Sequence, residues 1–321
     1  QARGAQPGSV MRIVFMGTPE YAAASLRALI AGGHEVAAVF TQPDKPRGRG
    51  GKVQETPVKI MAKQHGLPVH QPRRIRSEGV DALREISPEL CVTAAFGQIL
   101  SQEILDIPVM GTVNVHASLL PKYRGSSPVQ WAIINGERET GVTTMMTDAG
   151  IDTGDILLQA RTDIMPGETA GELTDRLALL GANLLIQTID ALVKGNCPRE
   201  KQDEDSMSYY PLLKREHGLI GWEITARDIV NLIHGVNPWP SAYSNSPWGW
   251  IKFHRAEAVD DLGAPGEILL ADAREGLLIA AARGAVRVKE MQVPGGRSMA
   301  PEAFLRGHPL PAGAQWMNGE A

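Results

Sequence analysis

"MRIVFMGTPEYAAASLRALIAGGHEVAAVF" (residues 11–40) decides the fold. Met11–Met16 is an apolar run that stops at Gly17-Thr18-Pro19-Glu20, residues 21–33 carry apolar side chains at helical spacing and end on glycine, and Glu35–Phe40 is a second apolar run. A helix buries one face every 3.6 residues, whereas a short unbroken apolar run bounded by turn residues suits a strand buried on both faces. Strand, helix and strand within these thirty residues make a βαβ unit, which requires a parallel pair and a right-handed crossover.

The alternation continues outward: a helix near 57–65, a short strand at 68–71, a helix near 78–86, a strand at 90–96, a helix near 98–106 and a strand at 111–117. Residues 11–117 are therefore predicted to form a doubly wound, mostly parallel α/β layer, in which ligands sit beyond the carboxyl ends of the strands. Residues 127–135 read as a helix, "GVTTMMT" (141–147) and "DILLQARTDI" (155–164) as strands, and residues 170–195 as a long amphipathic helix. Residues 196–211 have an acidic run and no period, which predicts a linker. Beyond it, a helix near 225–234 and short strands punctuated by Gly and Pro suggest a small β-barrel.

The 321 residues, 43% hydrophobic and 21% charged, have ordinary globular composition and exceed what one compact unit needs. The expectation is that no apolar run approaches the roughly 20 residues that span a bilayer. The opening "QARGAQPGSV" lacks a signal-peptide core, so residues 1–10 are expected to be a flexible extension before a start at Met11. Cys91 and Cys197 are the only cysteines, which suits a reducing cytoplasm rather than a disulfide framework. Net charge is −4, but residues 1–80 hold twelve basic residues against five acidic ones, a local +7 that permits a polyanion contact.

"TVNVHASLLPKYRG" (112–125) raises the chemical question. Residues two apart on a strand share a face, so Asn114 and His116 project together at a carboxyl end. An amide beside an imidazole suits an acyl-type transition state, in which a carbonyl oxygen gains charge while a nitrogen exchanges protons. A satisfied core histidine with an asparagine closing the strand fits the same pattern, and both readings stand. "DAGIDTGD" (148–155) adds Asp148, Asp152 and Asp155 in a glycine-rich loop. A carboxylate beside His116 would fix its tautomer. As a calcium loop it fails, because Gly150 and Thr153 stand where an oxygen ligand and a glycine are expected, and no metal is expected.

"VFMGTPEYAAASLRAL", "VNVHASLLPKYRGSSPVQWAI" and "ETGVTTMMTDAGIDTGDIL" together resemble the folate-dependent formyltransferases, over about Met11 to Leu305. The resemblance implies a Rossmann-like catalytic domain at 11–198, a linker at 199–218 and an OB-like (oligonucleotide-binding) tRNA-binding domain at 219–312. It implies Asn114, His116 and Asp152 as catalytic residues. Ser118, Leu119, Leu120 and Pro121 would line the 10-formyltetrahydrofolate site, and Phe96, Gly97, Gln98, Ile99, Ala149, Gly150 and Ile151 would hold the pterin. The implied reaction is direct attack by the α-amine of methionine, esterified to initiator tRNA, on the N10-formyl carbon, with Asn114 and protonated His116 stabilising the oxyanion. The expected enzyme is a cytoplasmic monomer with no membrane contact. An amino-sugar acceptor and a binding module without catalysis remain as alternatives.

Two other motifs fail as nucleotide sites. The turn at Gly17–Tyr21 lacks the second and third glycines of a dinucleotide fingerprint. In "TQPDKPRGRGGK" (41–52), Pro46 and Val53 stand where a phosphate-binding loop needs Gly and Ser or Thr. What remains is a mobile glycine-rich loop with Lys45, Arg47, Arg49 and Lys52, which by the resemblance contacts the tRNA acceptor end. Residues 283–306 carry a local +3, and Arg287 and Lys289 are the expected RNA contacts there. In "NPWPSAY" (237–243) and beyond it, Trp239 and Trp248 are expected to pack rather than stack on bases.

Overall fold

The computed structural model describes residues 10–48, 50–310 and 314–316, with Arg47 described in its backbone alone. The expected extension at 1–10 falls outside the described residues except for Val10, as do the last two residues of the expected second domain, 311–312. The chain divides into two compact units, Gln1–Ser126 with Thr140–Thr162 and Thr174–Tyr210, and Ser127–Glu139 with Asp163–Leu173 and Pro211–Ala321.

The first unit is built on β1 (Arg12–Gly17), α1 (Glu20–Ala31) and β2 (Glu35–Phe40). Two short strands follow, β3 (Lys45–Arg47) and β4 (Lys52–Gln54), then α2 (Pro57–Gln64), β5 (Val69–His70), α3 (Ile75–Glu78), α4 (Val80–Ile86) and β6 (Leu90–Ala94). After α5 (Gln102–Leu105) come β7 (Thr112–His116) and β8 (Arg124–Gly125). The first unit also holds most of β9 (Glu139–Met146), β10 (Ile156–Asp163) and α7 (Ala170–Val193), whereas α6 (Pro128–Ile134) belongs to the second unit.

The seven-stranded sheet has the order β10-β9-β7-β6-β1-β2-β5. Five strands run parallel from β5 to β7, and β9 pairs antiparallel with β7. Winding starts at β1, proceeds outward to β2 and β5, then crosses back to β6 and β7, so the switch point lies between β1 and β6. Ile13, Val14, Phe15 and Met16 are fully buried, as a strand covered on both faces must be. Gly17 ends β1 because a side chain there would stand 2.6 Å from the Ala22 Cβ and 2.8 Å from the Ala94 carbonyl.

Three sequence expectations change. The basic loop is a hairpin: β3 and β4 pair antiparallel, and the turn is made by Gly48, Gly50 and Gly51 at φ +72°, +104° and +61°. The helix expected near 98–106 shrinks to α5, because Ser101 stays extended (φ −72°, ψ 159°) and caps it, its hydroxyl accepting from the Ile104 N–H. Finally, α7 is long and apolar enough to cross a membrane by length and composition. It buries Leu177, Ala182, Leu184, Leu185 and Ile189, and an added Cβ at its Gly181 would meet the Val115 side chain at 3.0 Å. That is how a core helix packs.

The stretch expected as a linker, 199–218, is held in place along its first half. Gln202 is 9% exposed, and β11 (Tyr209–Tyr210) pairs with β8.

The second unit is a five-stranded antiparallel sheet formed by β12 (Ala242–Ser246), β13 (Gly249–Val259), β14 (Ile268–Asp272), β15 (Gly276–Ala280) and β16 (Ala285–Gln292), in the order β12-β13-β16-β15-β14. Helix α8 (Ala226–Gly235) and the short α9 (Pro301–Leu305) belong to it. α6 packs against α8 at Gly235, where a Cβ would stand 2.5 Å from Ile134. Trp222, Phe253 and Trp316 make edge-on and tilted contacts in the core. Trp248 packs on Phe304, ring centres 5.2 Å apart, while Trp239 is 54% exposed.

Candidate active site

The site lies at the carboxyl ends of β1, β6 and β7, beside the switch point. Thr18 Oγ1 donates to the Phe96 carbonyl at 3.0 Å and ties the ends of β1 and β6 together. On β7, Asn114 stands beside Thr93 of β6 in register, and its Nδ2 donates to Thr93 Oγ1 at 2.7 Å. The contact from the same nitrogen to the Thr93 carbonyl is 3.5 Å, at the limit of a hydrogen bond. Asn114 thus keeps one N–H nearly free.

His116 is 7% exposed. Its Nε2 lies 2.8 Å from the Tyr123 carbonyl, and a carbonyl only accepts, so Nε2 carries the hydrogen. Its Nδ1 faces Asp152 Oδ1 at 3.7 Å, a geometry that becomes an ion pair whenever Nδ1 takes a proton. Asp152 sits at φ +54°, unusual for a residue with a Cβ. The Gly125 N–H donates to Asp152 Oδ2 at 2.8 Å. Asp148 shapes the loop by accepting from Gly150 N at 3.0 Å and Thr153 Oγ1 at 2.6 Å. Gly154 has no alternative, since a Cβ there would lie 1.7 Å from the Met146 carbonyl.

The structure brings Asn114, His116 and Asp152 together, and it sorts the residues expected to line the ligand. Ser118 is 1% exposed and donates to the Lys122 carbonyl at 2.7 Å. Leu120 is buried, its N–H donating to Thr143 Oγ1 at 3.1 Å and its carbonyl accepting from Gln159 at 2.8 Å. Both scaffold the loop, whereas Leu119 and Pro121 are partly exposed. Phe96 is 4% exposed and belongs to the core, while Gly97 contributes backbone, accepting from Gln42 at 2.9 Å. The Gln98 amide is spent on Ile75 N, Gln42 and the Pro72 carbonyl. Ala149 and Gly150 are exposed, and Ile99 and Ile151 leave 71% and 51% of their surface uncovered. Those two apolar side chains are what a flat ring could cover.

Sequence reading missed four contributors, Thr93, Tyr123, Gly125 and Gln202, whose parts are played by backbone atoms or by hydrogen bonds to distant residues. Among the described residues no group of three His, Cys, Asp or Glu side chains could hold a metal ion.

Of the basic hairpin, Lys45 and Lys52 are exposed. Asp44 at its base is already engaged, by Lys59 at 2.6 Å and Gln71 at 2.7 Å. The Lys59 hydrogen bond holds the Asp44 carboxyl below its ordinary range. Asp44 is therefore occupied elsewhere and does not offset the exposed Lys45 and Lys52. Arg49 lies outside the described residues. Arg287 and Lys289 share Glu257, at 3.7 and 3.3 Å, so part of their charge is offset.

The formyl transferase family matches residues 11–189, and the formyl transferase C-terminal domain matches residues 212–309. Methionyl-tRNA formyltransferase from Geobacter sulfurreducens is 47% identical over 306 residues, 95% of this chain and 96% of that one. The protein of the same name from Pelotomaculum thermopropionicum is 48% identical over 307 residues, covering 94% and 97%. Among solved structures, an N-formyltransferase from Helicobacter canadensis with folinic acid and dTDP-3-aminofucose superposes with TM-score 0.67 at 20% identity, over 87% of this chain and 99% of that one. HypX from Aquifex aeolicus with tetrahydrofolic acid gives 0.63 at 20% identity, over 92% and 47%. At such identity the two structures establish a common fold only. The matched domains and the near full-length relatives place the chain in the formyl transferase family.

Proposed function

We propose that the chain transfers the formyl group of 10-formyltetrahydrofolate to the α-amine of methionyl initiator tRNA, giving formylmethionyl-tRNA and tetrahydrofolate. The observation that carries this reading is the convergence of Asn114 and His116 from one face of β7 with Asp152 from a distant loop. Asn114 turns its spare N–H to the formyl oxygen as the amine attacks. His116 reaches the same oxygen by exchanging its hydrogen bond to the Tyr123 carbonyl, and Asp152 balances the imidazolium and helps pass a proton toward the leaving nitrogen. Ile99 and Ile151 cover the pterin, with Leu119 and Pro121 along the same ligand. Nothing in the step calls for a covalent enzyme intermediate.

The acceptor is assigned from the full-length relatives and from the cationic hairpin, which a small amino sugar does not need. Lys45, Arg47, Arg49 and Lys52 would meet phosphates of the acceptor end, and Arg287 and Lys289 would add contacts from the second unit. The enzyme acts in the cytoplasm as a monomer. One competition assay tests the reading: charged initiator tRNA and a nucleotide-linked amino sugar are offered together with 10-formyltetrahydrofolate. Formylmethionyl-tRNA is the expected product, and formylation of the sugar alone would refute the assignment.

A further inference from the structure

Gln202 lies between the two matched family stretches, in the segment whose sequence reads as a linker. It is 9% exposed, and every hydrogen-bonding position of its amide that matters is in use. Nε2 donates to the Asp152 carbonyl at 2.7 Å and to the Gly154 carbonyl at 2.8 Å. Oε1 accepts from Arg124 Nε at 3.0 Å. The guanidinium of Arg124, 3% exposed, is completed by Glu204 at 3.1 and 2.7 Å. Arg124 and Gly125 form β8, paired in register with Tyr209 and Tyr210. The neighbouring Tyr123 N–H donates to Ser208 Oγ at 2.8 Å, and the Tyr123 carbonyl accepts from His116.

We infer that Gln202 is the positioning residue of the catalytic pair: its amide fixes the backbone of Asp152 in the left-handed conformation and thereby sets the gap from His116 to the carboxylate. The inference rests on the proposed roles of His116 and Asp152. At 3.7 Å that gap is wider than a hydrogen bond, so nothing between the two side chains locks it. The lock comes from outside, through Gln202 on the Asp152 backbone and Gly125 on the carboxylate. A glutamine suits the task because both N–H groups point at carbonyls while its oxygen meets a cation. A glutamate would keep the cation and repel both carbonyls.

The test uses Gln202→Ala and Gln202→Glu in the full chain, alone and combined with Asp152→Ala, with turnover, KM for both substrates and 15N-histidine spectra as readouts. Each single variant is expected to lower kcat at least tenfold, with both KM values within about twofold of the wild type. In the Asp152→Ala background Gln202→Ala should cost almost nothing further, because the residue acts through Asp152. The His116 signals of Gln202→Ala should move toward those of Asp152→Ala. Equal fold losses in both backgrounds, unchanged kcat, or His116 signals identical to wild type would each overturn the inference. The spectra need no turnover, so they decide the point even if the acceptor proves to be a different amine, which only the activity assay reports.

Discussion

Replacing Asn114 with alanine separates the chemical role of β7 from its structural one. The amide makes one firm hydrogen bond, to Thr93 Oγ1 at 2.7 Å, and holds a second N–H only loosely, 3.5 Å from the Thr93 carbonyl. If that second N–H meets the oxyanion, its loss should cost about 2.7–4 kcal/mol of transition-state stabilisation, a factor of roughly 10² to 10³ in kcat. The stability cost is independent and small. The Thr93 hydroxyl, 5% exposed, is left without its partner, worth about 1 kcal/mol, or a Tm drop of roughly 2–4 °C. Asn114→Asp serves as the opposing control: its carboxylate would reverse the bond and accept from the Thr93 hydroxyl, yet it would aim negative charge at the oxyanion. Single-turnover formylation with both substrates saturating, together with calorimetric folate binding and a thermal scan, measures all three quantities. Turnover within tenfold of wild type for Asn114→Ala, or retained activity in Asn114→Asp, would refute the oxyanion role.

Truncating the hairpin lysines, Lys45→Ala with Lys52→Ala, should raise KM for charged tRNA while leaving folate binding unchanged, and flatten the salt dependence of tRNA binding by about two units of slope; an equal loss toward folate would count against the assignment. In the second unit, burial and, secondarily, the Arg255 charge push the His234 imidazole down to about 4. Between the ordinary value of about 6.5 and that one, the unfolded chain binds a proton that the folded chain refuses, so stability falls as pH drops through this window, by about 3 kcal/mol in full. Urea titrations of the wild type and His234→Gln across pH 7 to 4 should show that extra slope only in the wild type. Gly154→Ala forces a Cβ to within 1.7 Å of the Met146 carbonyl. It should lower Tm by several degrees and turnover with it, and a variant with wild-type Tm and kcat would show the loop to be freer than its geometry implies.

What sequence reading captures here is local. The βαβ pattern at 11–40 is legible because its unbroken apolar runs and its 3.6-residue period are each contained within single elements, and the shared face of Asn114 and His116 follows from the strand period alone. The hairpin at 45–54 is illegible because three-residue strands are too short to show alternation, and its pairing depends on glycine conformations. Residues 199–210 look like a tether because their composition is polar, but the partners that satisfy them are remote: Gln202 meets Asp152 and Gly154, and Glu204 meets Arg124. Arg124 is 3% exposed, its guanidinium saturated by one carboxylate and one amide that lie some eighty residues on. The proximity of Asp152 to His116 depends on a left-handed residue and on these long-range ties, neither of which has a periodic signature.

The engagement of His116 in the free enzyme bears on how catalysis is partitioned. Its Nε2 hydrogen is already committed to the Tyr123 carbonyl at 2.8 Å. A ground-state formyl oxygen is another neutral carbonyl, so exchanging one for the other gains almost nothing, and the hydrogen stays with Tyr123. Once the amine has attacked, the oxygen is an anion. Hydrogen bonds to charged groups contribute about 1.5–3 kcal/mol against about 1 for neutral pairs, so the exchange becomes favourable only then. An interaction made in the transition state and not before raises kcat without tightening substrate binding. On the proposed mechanism, the backbone carbonyl beside His116 is a competitor matched to the substrate and beaten by the oxyanion, and the ties that hold Tyr123, through Ser208 and the β8–β11 pairing, would set the level of that competition.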